Sequence, residues 1–212
     1  MISKSSFGIL GRINLLQDLA SWCVAQIHPS ILHNLGKYMA IKKAMFLTQI
    51  EGVGGDYCEF GIYKGSSFCN AIRCERTARR LMKDDSRTRF FGFDSFNGFG
   101  DVGESDRHPF YIDLNFSCSK QSVEKRVRRV VSDEEFSIIP GFFEETLAKP
   151  PSAYGICSAR IVFIDSDTFA SASLALKFSS QVLEVGSYLI LDDFFSYRGD
   201  PDKGVSGAFR LF

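Results

Sequence analysis

The sequence has no net charge: 25 Lys and Arg balance 25 Asp and Glu over 212 residues. No overall field draws the chain to nucleic acid or to an anionic membrane surface. Long uncharged runs are missing as well. Lys4, Arg12 and Asp18 interrupt the apolar N-terminus, nothing approaches the ~18 residues of a membrane span, and no signal-peptide core with a small-residue cleavage site is present. The expectation is a cytoplasmic protein with no membrane partner. Soft metal ligands are sparse. Six Cys and three His include no C-x-x-C pair, which argues against structural zinc and leaves six reduced thiols. The G-x-G-x-x-G of nicotinamide and flavin turns is absent too.

What is present is one domain's length of chain, 45% hydrophobic, enough for a substantial core. It is organised around Gly55-Asp-Tyr-Cys-Glu-Phe-Gly-Ile-Tyr-Lys-Gly-Ser-Ser-Phe68. An apolar strand, 56–60, turns on Gly61 and Gly65 and enters a helix through Ser66 and Ser67 that runs to about Met82. Such a unit brings bare backbone and a helix N-terminus close to a ligand. Glu59, just before the glycines, suits a ligand with an ammonium group or ribose hydroxyls better than a pyrophosphate.

Two helices, 8–27 and 31–49, precede this unit, with Ser30 as a candidate N-cap for the second. They would form a helical cap, 1–50, ahead of the main domain, 51–212, and a possible face for a homo-oligomer. Further strands read at 89–94, 136–139, 159–165 and 187–191, with helices between them. Residues 96–120 form a long glycine-bearing loop suited to a lid, and 120–135 a helix with Val123, Val127 and Val130 on its buried stripe. Gly186 marks a turn before the fifth strand.

Strands alternating with helices predict an α/β domain, a Rossmann-like doubly wound parallel sheet in the order 3-2-1-4-5 with helices on both faces. Four strands end in acids: Glu59, Asp94, Asp165 with Asp167, and Asp192 with Asp193. Ligands of such sheets bind at the carboxyl ends of the strands. Asp94 has the lone pairs to accept two ribose hydroxyls. Phe142, Phe143 and Glu144, after the third strand, could hold a purine ring. Asp165, Asp192 and Asp193 could converge on one point, where only a cation would relieve their repulsion. Oxygen-only ligands point to Mg²⁺, ahead of Mn²⁺ or Ca²⁺.

These segments, together with Phe93-Asp-Ser-Phe-Asn-Gly-Phe, Gly141-Phe-Phe-Glu-Glu-Thr-Leu, Ile164-Asp-Ser-Asp-Thr-Phe-Ala-Ser and Leu191-Asp-Asp-Phe, resemble the macrocin O-methyltransferase family over about residues 50–212. That family consists of class I S-adenosylmethionine-dependent enzymes that methylate sugar hydroxyls of glycosylated small metabolites. The resemblance implies that Glu59, Gly61, Tyr63, Gly65 and Ser67 surround the methionine part of S-adenosylmethionine. Asp94, with Ser95 beside it, would hold the ribose, and Phe142, Phe143 and Glu144 would flank the adenine. Asp165, Asp192 and Asp193 would bind Mg²⁺, and Asp165 and Asp167 would carry the catalysis, Asp167 as base or orienting group for the acceptor.

Three departures from the family pattern stand out. Phe169 and Phe194 occupy positions where the family has Tyr, and Val185-Gly186-Ser187 replaces a Pro-Gly-Gly turn. The sequence also stops inside the helix after the fifth strand, so the family's closing antiparallel strand pair is expected to be missing and the fifth strand to keep an open edge. A fragment that binds cofactor or a partner without turnover is therefore the alternative. Asp165-Ser-Asp167-Thr168 also resembles the D-x-D-x-T of phosphatases or a glycosyltransferase D-x-D, but the first reading leaves the glycine turn and Asp94 unexplained and the second leaves Glu59 and Asp192-Asp193 idle.

Overall fold

The computed structural model describes residues 12–83, 86–100, 102–108, 116–132 and 135–212. Its centre is a sheet of five strands, β1 (Asp56–Phe60), β2 (Phe90–Asp94), β3 (Phe136–Pro140), β4 (Ala159–Ile164) and β5 (Leu183–Leu191). They lie in the order β3-β2-β1-β4-β5, and every pairing is parallel. This is the sheet expected from the sequence. The helices are α1 (Asn14–Ala25), α2 (Pro29–Glu51), α3 (Ser66–Met82), α4 (Lys120–Val127), α5 (Phe143–Thr146), α6 (Phe169–Ser179) and α7 (Gly204–Leu211).

A parallel sheet must be covered on both faces, and alternation along the strands sorts the two cores. Tyr57, Ile161 and Phe163 face α2, α3 and α4 with Ile41, Met45, Phe68 and Val127. Cys58, Phe60, Val162 and Ile164 face α5, α6 and α7 with Phe143, Leu176 and Val205. β1 and β4 are buried along their whole length, which explains their unbroken apolar runs. Gly92 stands where Ile62 and Phe68 press against β2; a methyl group there would lie 3.0 Å from the Ile62 side chain.

Local structure departs from expectation at four places. Residues 8–11 of the first expected helix, and 101 and 109–115 of the expected lid, lie outside the described residues. α2 begins at Pro29, so Ser30 falls in its first turn rather than at the cap; proline suits this position because it has no N–H to leave unsatisfied. α4 ends at Val127, where the chain tightens into shorter turns such as Val130 N–H to the Val127 carbonyl at 2.8 Å. β5 begins at Leu183 instead of Ser187. Its register against β4 jumps from Ala159↔Leu183 to Ile161↔Tyr188, and Gly186 (φ +96°) supplies the left-handed residue of that bulge. The segment expected as a cap joins the core from Ile41 onward, whereas α1 buries none of its residues.

Candidate functional site

Past the carboxyl ends of four strands the backbone is bent into a conformation that side chains disfavour. Tyr63 after β1 (φ 44°), Phe96 after β2 (59°), Asp167 after β4 (59°) and Asp193 after β5 (49°) are all left-handed without being glycine. Each costs about 1–3 kcal/mol, and such strain gathers at binding sites. Gly61 (φ +91°) is needed for a different reason: a Cβ there would run into the carbonyl of Asp165. It lets the ends of β1 and β4 touch, with Asp165 N–H donating to the Phe60 carbonyl at 2.8 Å. Gly65 (φ +74°) starts α3, and a Cβ on it would meet Val123 at 2.9 Å.

Asp94 ties the first two turns together. Its carboxylate accepts the N–H of Tyr63 and the N–H of Phe96, each at 2.7 Å. Burial pushes its pKa up while these two bonds pull it down. Ser95 shapes the following turn, its hydroxyl donating to the Gly98 carbonyl at 2.7 Å. Glu59 is fully buried on the α3 side. The hydroxyls of Tyr57 and Ser67 both donate to it at 2.5 Å. Burial lifts its pKa to about 7 against those bonds. Glu59 and Ser67 therefore brace the glycine turn from beneath and present no open surface.

The aromatic pair after β3 divides. Phe142 stays extended as the cap of α5 while Phe143 enters the helix. Phe143 is buried and meets the Phe60 ring edge-on at 5.9 Å. Phe142 is partly open, as is the Gly100 backbone against its ring, and Glu144 is exposed.

The ends of β4 and β5 hold the acids. Asp165, Asp167 and Asp193 each bring one oxygen within 4.8 Å of the others. This trio differs from the expected Asp165, Asp192 and Asp193, because neighbouring residues leaving a strand point to opposite sides. Asp192 instead meets Lys37 of α2. The Lys37 ammonium lies 2.8 Å from Asp165 Oδ2 and 2.5 Å from Asp192 Oδ2, and His33 approaches Asp192 at 3.8 Å. Burial holds Asp167 well above the usual carboxylate range, and the neighbouring Asp193 and Asp165 carboxylates add to the rise. Burial also holds Asp165 well above the usual carboxylate range, against the pull of Lys37.

Three residues the sequence reading left unassigned complete the rim. Lys37 is one. Its signal was its place on the buried stripe of α2, one turn before Ile41 and two before Ala44. Asp106, from the expected lid, accepts the N–H of Phe169 at 2.9 Å and of Ala170 at 3.3 Å, satisfying free donors at the start of α6. Tyr197 donates its hydroxyl to the Asp106 carbonyl at 2.6 Å and stacks edge-on with His108 at 5.0 Å. The loop is thus pinned beside Asp167.

For a hard divalent ion the donor set fits. Carboxylate oxygens are its ligands of choice, and opposite oxygens around Mg²⁺ stand about 4 Å apart. Three carboxylates this close repel one another, and a cation among them relieves that repulsion.

A parallel sheet in this order is the fold of known methyltransferases. The O-methyltransferase NovP aligns with a TM-score of 0.66 at 21% identity, covering 85% of this chain and 72% of its own. CalS11, a calicheamicin methyltransferase, gives 0.68 at 18% identity, covering 99% and 84%. Both likenesses concern the fold. At the level of sequence, the macrocin-O-methyltransferase (TylF) pattern matches residues 35–202, and the chain belongs to that family of S-adenosylmethionine-dependent O-methyltransferases.

Two relatives have assigned reactions. The 8-demethyl-8-(2,3-dimethoxy-alpha-L-rhamnosyl)-tetracenomycin-C 4'-O-methyltransferase of Streptomyces olivaceus is 24% identical over 207 residues, 85% of this chain and 75% of the relative. The demethyldecarbamoylnovobiocin O-methyltransferase of Streptomyces niveus is 29% identical over 150 residues, 67% of this chain and 53% of the relative. The chain thus spans about half the length of the second. Among the described residues no helix is long and apolar enough to cross a membrane.

Proposed function

We propose that the chain moves the methyl group of S-adenosylmethionine to a hydroxyl of a sugar or glycosylated small metabolite, with Mg²⁺ at the acid edge. The observation that carries this reading is the trio of Asp165, Asp167 and Asp193 oxygens within 4.8 Å of one another, next to the strained turns of β1 and β2. Relatives that methylate glycosides support the acceptor class.

Asp94 accepts the two ribose hydroxyls on the lone pairs that Tyr63 and Phe96 leave, and Ser95 keeps the turn beneath them. Gly61, Tyr63 and Gly65 carry the backbone that faces the methionine part, while Glu59 and Ser67 hold that backbone in place. Phe142 and Glu144 flank the adenine, and Phe143 supports Phe142 from the core. Asp165, Asp167 and Asp193 would hold the ion. When bound, S-adenosylmethionine supplies an electrophilic methyl group and Mg²⁺ lowers the pKa of the hydroxyl beside it. Asp167 takes the hydroxyl proton on a carboxylate oxygen. Asp165 and Asp167 would orient the acceptor hydroxyl, and such positioning supplies much of the rate of a group transfer.

The domain that does this spans 51–212, with the helices of 1–50 shaping the acceptor side. We assign a second copy of the chain to α1. Leu15 (77% exposed) and Trp22 (63%) lead an apolar surface continued by Leu19 and by Ile31 of α2. Asp18 is the one charge within α1, whereas an anionic lipid surface selects helices rich in Lys and Arg. Buried free thiols at Cys58, Cys69 and Cys74 suit a reducing compartment, the cytoplasm.

Transfer of label from methyl-labelled S-adenosylmethionine to a panel of rhamnosides, with MgCl₂ or with EDTA, tests the reaction. Label on a sugar hydroxyl with MgCl₂ and its loss with EDTA is the expected result. Undiminished transfer in EDTA removes the ion from the account; label on the aglycone, or none from a folded protein that binds cofactor, removes the acceptor class. Light scattering of wild type and Trp22→Asp tests the dimer: a mass of two chains falling to one is expected, and one chain in both contradicts it.

A further inference from the structure

Lys37 sits where a lysine is costly. It lies on the stripe of α2 that also buries Ile41, Ala44 and Met45, with its side chain 12% exposed. An ammonium group withdrawn from water must be repaid by close opposite charge. Two carboxylates repay it, Asp165 at 2.8 Å and Asp192 at 2.5 Å. These come from the ends of two different strands, so a single side chain latches α2 across β4 and β5.

Asp165 belongs to two constellations at once. One oxygen meets Lys37, and an oxygen also lies within 4.8 Å of Asp167 and Asp193. We propose that Lys37 is a built-in cation of the acid edge that competes with the divalent ion for Asp165 and for Asp192. The proposal rests on the reading that a divalent ion binds among these carboxylates. Two like charges drawn to one carboxylate repel, so loading of the ion weakens the Lys37 latch, and the latch weakens the ion by the same factor. When the ion is absent, Lys37 keeps Asp165 and Asp192 compensated and the end of α2 in place. The position of α2, which borders the acceptor side, becomes linked to whether the ion is present.

The test uses Mn²⁺ as the probe, its free concentration followed by electron paramagnetic resonance in the full chain. Wild type, Lys37→Met, Lys37→Gln and Lys37→Arg are compared, with thermal melts of each in EDTA and in saturating MgCl₂. The neutral Met and Gln variants are expected to bind Mn²⁺ at least tenfold more tightly than wild type, and the Arg variant to stay within about threefold of it. In EDTA the neutral variants melt below wild type, and MgCl₂ raises their melting temperature more than it raises that of wild type, since an ion that binds only the folded state stabilises it. Gln keeps hydrogen-bond donors at the site if Met fails to fold. Equal or weaker Mn²⁺ binding by both neutral variants overturns the competition and leaves the ion reading intact. No Mn²⁺ binding by any folded variant overturns the ion reading, and this proposal with it.

Discussion

The two ends of the sheet are built from opposite charges and for opposite purposes. α2 visits both, from Lys37 at one end to Thr48 at the other, a span of about 16 Å along a helix. At the amino end of the strands Arg160 is buried and hydrogen-bonds to neutral oxygens. It donates to Thr48 at 3.0 Å, to Gln49 and Thr88 at 3.2 Å, and to the Met45 carbonyl at 3.2 Å. Beside it Arg89 forms a two-pronged pair with Asp56 at 3.0 and 2.7 Å. At the carboxyl end three carboxylates crowd together, and the backbone under Asp167 and Asp193 is left-handed. One end is satisfied and holds the fold; the other is frustrated and waits for ligands. The same helix joins them, which is why the second can stay strained without unfolding.

Substitutions should separate the two ends. The largest effect is expected at the acid end. Asp167→Asn should lower kcat by about 10²–10⁴-fold, the usual range for a removed general base, while its melting temperature stays level or rises because the crowding of three carboxylates is relieved. Steady-state kinetics beside a thermal melt reads both; a fall in stability to match the fall in rate would erase the contrast.

At the amino end the signs reverse. Arg160→Leu strands Thr48, Thr88 and Gln49 without their donor, at about 1–3 kcal/mol for each group left unsatisfied. Denaturant unfolding should show a loss of that order, and the folded fraction should bind S-adenosylhomocysteine as wild type does. Weakened cofactor binding in folded Arg160→Leu would mean that the two ends are not separable.

Glu59 lies between these extremes and makes the contrast depend on pH. Its carboxyl pKa is lifted in the folded chain from the ordinary 4.5 to about 7, so between those values the folded state binds more protons than the unfolded one. Stability therefore falls as pH rises through this window, by about 3 kcal/mol in total from this group, and stays low above it. Melting temperatures from pH 4.5 to 8 should decline more steeply for wild type than for Glu59→Gln. Parallel curves would show that Glu59 is charged in the fold throughout.

How much of this was open to reading from sequence follows from how local each feature is. The strand, glycine turn and helix of 55–68 were legible because apolar runs, left-handed glycines and a helix start are neighbours in the chain. The gathering of Asp94, Asp165 and Asp193 at one edge was legible because a parallel sheet carries all its strand ends to the same side. The direction of each side chain was not. Asp192 and Asp193 differ by a bend at the end of β5, and Phe142 and Phe143 by the first turn of α5, where φ and ψ change between consecutive residues. Lys37 was hidden because the pairing of α2 with β4 and β5 is tertiary and leaves no spacing in the sequence. β5 was read four residues short because Gly186, a bulge inside the strand, looks like a turn before it.

The smallest of the expected effects bears on the claim from which the rest follows, that this edge is a cofactor site. Asp94 accepts two backbone N–H bonds at 2.7 Å and has lone pairs left for ribose hydroxyls. Calorimetric titration of S-adenosylhomocysteine into the wild-type chain and into Asp94→Ala reads the claim directly. Micromolar binding by wild type, roughly −8 kcal/mol, weakened at least tenfold by the substitution, is the predicted result. Equal binding by the two folded proteins, or none by wild type, would contradict it.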